Sequence, residues 1–122
     1  MKITPFEGLE CWQEATSLAI DIYKITSEGD FGKDFGFRDQ LRRAAVSIAS
    51  NIAEGKERET PSEFIRFLYI AKGSTGELKT QLYIAKEVGY LSEEAFQELN
   101  SRAEKIAGMV GSLIKAVRRS KK

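Results

Sequence analysis

Six residues near the C-terminus, Leu99, Ala103, Ile106, Val110, Leu113 and Val117, follow an almost strict rhythm of four- and three-residue steps. That spacing puts all six on one stripe of a helix and makes the seam of a coiled-coil-like bundle. A helix with one such stripe must bury it against other helices. The chain holds only two prolines, Pro5 and Pro61, so little interrupts long helices.

The same periodicity recurs three more times. Leu9, Trp12, Ala15, Ala19, Ile22, Tyr23 and Thr26 predict a first helix over 8–27. SEGDFGKDFG then reads as a loop, with Phe31 and Phe35 tucked against the bundle end. A second helix is expected from Phe37 to Lys56, with Gly55 as its stop and Gly36 as its only available cap. Its main stripe is Phe37, Leu41, Ala44, Ala45, Ile48 and Ile52, and Ala45, Ala49 and Ala53 form a second, small face. Thr60-Pro61-Ser62-Glu63 is a strong helix start, with Thr60 capping, proline at the first position and Glu63 completing a capping box. This third helix runs to about Gly89, and Gly73 and Gly76 in its middle point to close approach by another helix. Ser92-Glu93-Glu94 opens the fourth. No segment alternates with period two. The fold class is therefore all-α, an antiparallel up-down-up-down four-helix bundle. Residues 1–122 form one domain, with a short basic tail at 115–122.

Several chemistries are excluded by composition. The chain has no histidine, so neither a Glu-x-x-His di-iron site nor a Cys-His or Ser-His-Asp arrangement can be built. A carboxylate-only metal site from Glu54, Glu57, Glu63 and Glu77 stands against the plainer reading of solvated faces and ion pairs. GSTGEL at 73–78 lies inside a helical pattern and lacks the Lys-Ser/Thr ending of a phosphate loop. The expectation is a protein that is not an enzyme and needs no cofactor or metal. Cys11 is the sole cysteine, so no disulfide forms within the chain, and a buried thiol is expected. MKITPFEGLECW has no apolar signal core, and no stretch approaches a membrane span, which predicts a cytoplasmic protein without membrane contact.

Charge is unevenly distributed. The net charge is +1, but the last eight residues, KAVRRSKK, carry five cations and no acid, leaving −4 on residues 1–114. No aromatic ladder suited to stacking single-stranded bases is evident along the chain.

LRRAAVSIASNIAEG (41–55), SEFIRFLYIAKGSTGELKTQL (62–82) and AKEVGYLSEEAF (85–96), with Phe6-x-x-Leu9-x-x-Trp12, closely resemble four-helix-bundle proteins encoded in intervening sequences of bacterial 23S ribosomal RNA genes. Accessory variability determinant proteins of diversity-generating retroelements are similar to the same group. Ala49 stands where that family usually has proline, and the family's capping Ser or Thr near Arg38 is missing. The resemblance implies a homo-oligomer, specifically a pentamer, that binds RNA or DNA through basic surface residues and associates with a reverse transcriptase.

On that reading Arg42, Arg43, Arg66, Lys72, Arg118, Arg119, Lys121 and Lys122 are the candidate nucleic-acid contacts. For Arg42 and Arg43, a solvated face or intersubunit ion pairs stand as the alternative. Small and polar residues on the second helix suggest packing against a neighbouring subunit. The candidate interface is Ser47, Ala49, Ser50, Asn51 and Glu54, with Gly73 on the third helix; a ligand site there is the alternative. A protein-binding scaffold without nucleic-acid function is the second overall reading, and the basic tail then serves only the helix dipole.

Overall fold

A computed structural model describes residues 5–120. A 3-10 turn, Phe6–Gly8, precedes five α-helices: α1 Glu10–Ile25, α2 Gly29–Lys33, α3 Phe35–Lys56, α4 Pro61–Glu87 and α5 Glu93–Ser120. The four long helices, α1, α3, α4 and α5, make the antiparallel bundle. Packing runs α1 on α3, α3 on α4, α4 on α5, and α1 closes back on α5. Leu18, Ile22, Leu41, Ile48, Leu68, Leu78, Leu82 and Val110 are fully buried between them.

Several local expectations are corrected. The SEGDFGKDFG stretch is not all loop, because Gly29–Lys33 makes the short helix α2. Phe31 is buried as expected and packs on Phe37 and Tyr90, with ring centroids 5.8 and 5.0 Å away. Phe35 is not tucked in. It is 63% exposed on the first turn of α3, beneath the Arg38 guanidinium one turn on. The cap of α3 is Asp34 and not Gly36. The Asp34 carboxylate accepts from the Phe37 amide at 3.2 Å and from the Tyr90 hydroxyl at 2.9 Å. That second bond ties the α4–α5 connection to the start of α3 and raises the Tyr90 hydroxyl above its ordinary pKa.

The glycines exchange their expected roles. Gly55 does not stop α3, which continues to Lys56. Gly55 is buried, and a Cβ there would lie 2.9 Å from Phe67 Cβ and 3.0 Å from Phe64 Cδ1. The α3–α4 elbow is tight because this position has no side chain. Gly73 and Gly76, expected to mark a close approach, do not: a Cβ at either would meet nothing within 4 Å. Gly89 does end α4, at φ +87°, the left-handed conformation glycine adopts without strain.

At α4's start, Thr60 accepts from the Glu63 amide at 3.1 Å. The Glu63 carboxylate, however, lies 3.5 Å from Arg66 and does not close the capping box. In α5 the seam follows Leu99, Ala103, Ile106, Val110 and then Ile114, not Leu113 and Val117, which are only partly buried. A straight helix turns every 3.6 residues, so a 3.5-residue stripe drifts off the core by one position. Cys11 is 4% exposed in the first turn of α1, and burial pushes its thiol pKa up. No described helix is long and apolar enough to cross a membrane.

Candidate functional site

The residues proposed from sequence fall into separate places. Arg42 turns inward to the C-terminal end of α1. Its guanidinium donates to Thr26 Oγ1 at 2.9 Å, Ser27 Oγ at 3.0 Å and the Tyr23 carbonyl at 3.3 Å, and sits 4.6 Å from the Tyr23 ring centre. Helix ends leave carbonyls without partners, and a cation there satisfies them and suits the dipole. Arg42 is therefore occupied with holding α1 to α3. Arg43, its neighbour, is exposed and joins Gln40, Glu77 and Gln81 around an open polar groove of about 820 Å³.

Arg66 is exposed over the Phe67 ring, beside Glu63. Lys72 and Arg118 are brought together around Tyr69. The Arg118 guanidinium donates to the Tyr69 hydroxyl at 3.3 Å, and together with nearby Lys72 it lowers the phenol pKa. Arg119 is exposed in the last turn of α5, while Lys121 and Lys122 lie outside the described residues. The cations thus gather at the end of the bundle where α5 finishes, and Arg42 and Arg43 belong to the other half.

The candidate interface residues also divide. Ser47 and Asn51 face α4 within the protomer. The Ser47 and Ser74 hydroxyls are 2.9 Å apart, and Asn51 Nδ2 donates back to the Ser47 carbonyl and hydroxyl. These polar residues fix the register of α3 on α4. The buried Gln81, 7% exposed, continues this polar line, and its Oε1 has no partner among the described residues. Glu54 pairs with Arg58 one turn on, at 2.9 Å. Gly73 is exposed on the outer face of α4.

Ala49 and Ser50 look the other way. They line an apolar groove of about 560 Å³ between α1 and α3. Trp12, Ile20, Val46 and Ala53 are among its other lining residues, with Ile20 and Val46 exposed. The α1 half of this groove was not anticipated, because Ile20 lies outside the stripe that fills the core.

Sequence reasoning also missed a row on α4. Lys72, Lys79 and Lys86 repeat every seven residues, and Tyr69 and Tyr83 are separated by two such repeats. The signal was present but sits beside the core stripe. Among the described residues no group of three or more acidic or cysteine side chains could hold a metal ion.

With these elements in view, the chain can be set against known proteins. The family model of the 23S rRNA-intervening sequence protein matches residues 7–112. The chain belongs to that family. The 23S rRNA-intervening sequence family match spans every element of the bundle except the ends. Among solved structures, a protein of unknown function from the S23 ribosomal protein family of Bacteroides thetaiotaomicron is similar, with a TM-score of 0.79 and 25% identity. The match covers 86% of this chain and 98% of that one. No curated protein matches.

Proposed function

We propose that this member of the 23S rRNA-intervening sequence family is a non-enzymatic, oligomeric, nucleic-acid-binding accessory protein of the intervening-sequence or retroelement type. The observation that carries the reading is the end of α5. Lys115, Arg118 and Arg119 are exposed there, and none forms an ion pair among the described residues. Cations on a bundle end bind phosphates with little sequence preference and strong salt dependence. Assembly multiplies them into a ring that the near-neutral protomer conceals. The apolar α1–α3 groove supports assembly, and five copies is the number the resemblance implies. A reverse transcriptase as protein partner belongs to the same proposal.

The test is titration of labelled RNA and duplex DNA at two salt concentrations, with the mass of the free protein measured alongside. Binding by an oligomer that weakens steeply with salt is expected. An oligomer that ignores both at low salt removes the nucleic-acid role. That result leaves a protein-binding scaffold, the reading favoured by the same apolar groove.

A further inference from the structure

We infer that the groove between α4 and α5 is a track for single-stranded nucleic acid, with Tyr69 and Tyr83 as its stacking platforms. This rests on the nucleic-acid reading above and adds where the strand lies and that it is single. On the α4 side, Lys72, Lys79, Tyr83 and Lys86 line the wall at helical spacing, and Tyr69 stands at one end. Contacts across to α5 place this wall beside it. Lys79 reaches Glu104 at 3.1 Å, Lys86 reaches Glu93 at 3.6 Å, Tyr83 packs edge-on against Phe96, and Tyr69 accepts from Arg118. On α5, Lys115 and Arg118 lie on the same helical row as Glu104, Gly108 and Gly111.

Three features make this a track and not merely a charged surface. The floor is open, since Gly76, Gly108 and Gly111 would meet nothing within 4 Å even with a Cβ. The aromatics are presented, with Tyr69 47% and Tyr83 53% exposed although both are large apolar rings. The rings stand fourteen residues apart on one helix, about 21 Å at 1.5 Å per residue, with Lys72 and Lys79 between them about 10 Å apart. A positive groove that follows a backbone, with aromatic faces for bases, is how proteins hold single strands. A duplex keeps its bases stacked inside and offers nothing to the tyrosines. Glu104 holds Lys79 through a partly exposed ion pair, which is weak and exchanges readily for a phosphate. Lys86 is more enclosed, paired with Glu87 and Glu93 and seated over the Tyr83 and Phe96 rings, so one face of Tyr83 is left for a base.

The experiment compares a labelled single-stranded oligouridine, the corresponding oligothymidine and a duplex of equal length, by anisotropy at two salt concentrations. The proteins are the unaltered full chain, Tyr69→Ala with Tyr83→Ala, the same pair as Tyr→Phe, and Lys72→Gln with Lys79→Gln. The expected result is tighter binding of single strands than duplex. The alanine pair weakens single-strand binding about tenfold or more, the scale of lost base stacking. The phenylalanine pair keeps the affinity, and the glutamine pair flattens the salt dependence. All these positions are on the surface, and circular dichroism checks that each variant folds. Either of two results overturns the inference: equal affinity for duplex and single strand, or an alanine pair that binds like the unaltered protein. Both leave the wider nucleic-acid reading intact. If no nucleic acid binds the unaltered protein at low salt, that reading fails and this inference with it.

Discussion

Arg42 carries a positive charge that does structural work. Its three donors close the C-terminal end of α1, and its guanidinium stacks on Tyr23. Charged hydrogen bonds in such a setting contribute more than neutral ones. Arg42→Ala is expected to lower stability by about 1–3 kcal/mol in chemical denaturation, while nucleic-acid affinity changes little. Arg43→Ala should do the reverse if its exposed guanidinium meets phosphate. Asp34 and Tyr90 make a second residue-scale test. Tyr90→Phe removes the hydrogen bond to Asp34 and should lower stability in chemical denaturation. The sign of its pH dependence follows from the raised Tyr90 pKa. The bond is present below tyrosine's ordinary value of about 10 and is lost as pH rises through the higher folded value. The stability gap between the native protein and Tyr90→Phe should therefore shrink in alkaline denaturation curves.

Helices are where the sequence was most legible, and their glycines where it misled. Gly55 sits against Phe64 and Phe67, so Gly55→Ala should destabilise the elbow by about 1–3 kcal/mol through overpacking. A Cβ added at Gly73 would meet nothing within 4 Å beyond its own helix. Gly73→Ala should gain about 1 kcal/mol of helix stability, read as a higher melting temperature. A loss of oligomer in the same variant would show that a neighbouring subunit uses the gap. The sequence pattern does not distinguish these glycines, because both lie in helical stretches and only the partner across the elbow separates them. The four long helices were legible from apolar spacing, since each must bury a stripe. The α2 turn was not, because glycines and aspartates dominate it and a single buried aromatic, Phe31, holds it. The Asp34 cap was hidden because a residue taken for loop does the capping.

At the scale of the whole molecule, two surfaces face outward with different chemistry. The α1–α3 groove is apolar and lined by Trp12, Ile20, Val46 and Ala49. Ile20→Asp together with Val46→Asp should yield monomers by light scattering, with thermal stability of the protomer preserved, if that groove joins subunits. The α4–α5 side is cationic and aromatic. Neither surface was fully legible in the sequence. Each is assembled from two helices, and the neighbours are set by bundle connectivity. Reading cations singly joined Arg42 and Arg118 in one list, whereas the fold sets one against the C-terminal end of α1 and the other on the exposed last turns of α5.

The buried Cys11 turns the molecule into its own clock. It is the only thiol in the chain and lies in the first turn of α1, close to Met109 and Leu113 of α5. A thiol held neutral and almost wholly buried reacts slowly with an alkylating reagent until local opening uncovers it. The rate of labelling, measured on the unaltered chain with no engineered cysteine, therefore counts how often the start of α1 opens. Any ligand that binds the closed form should slow that count in proportion to its occupancy.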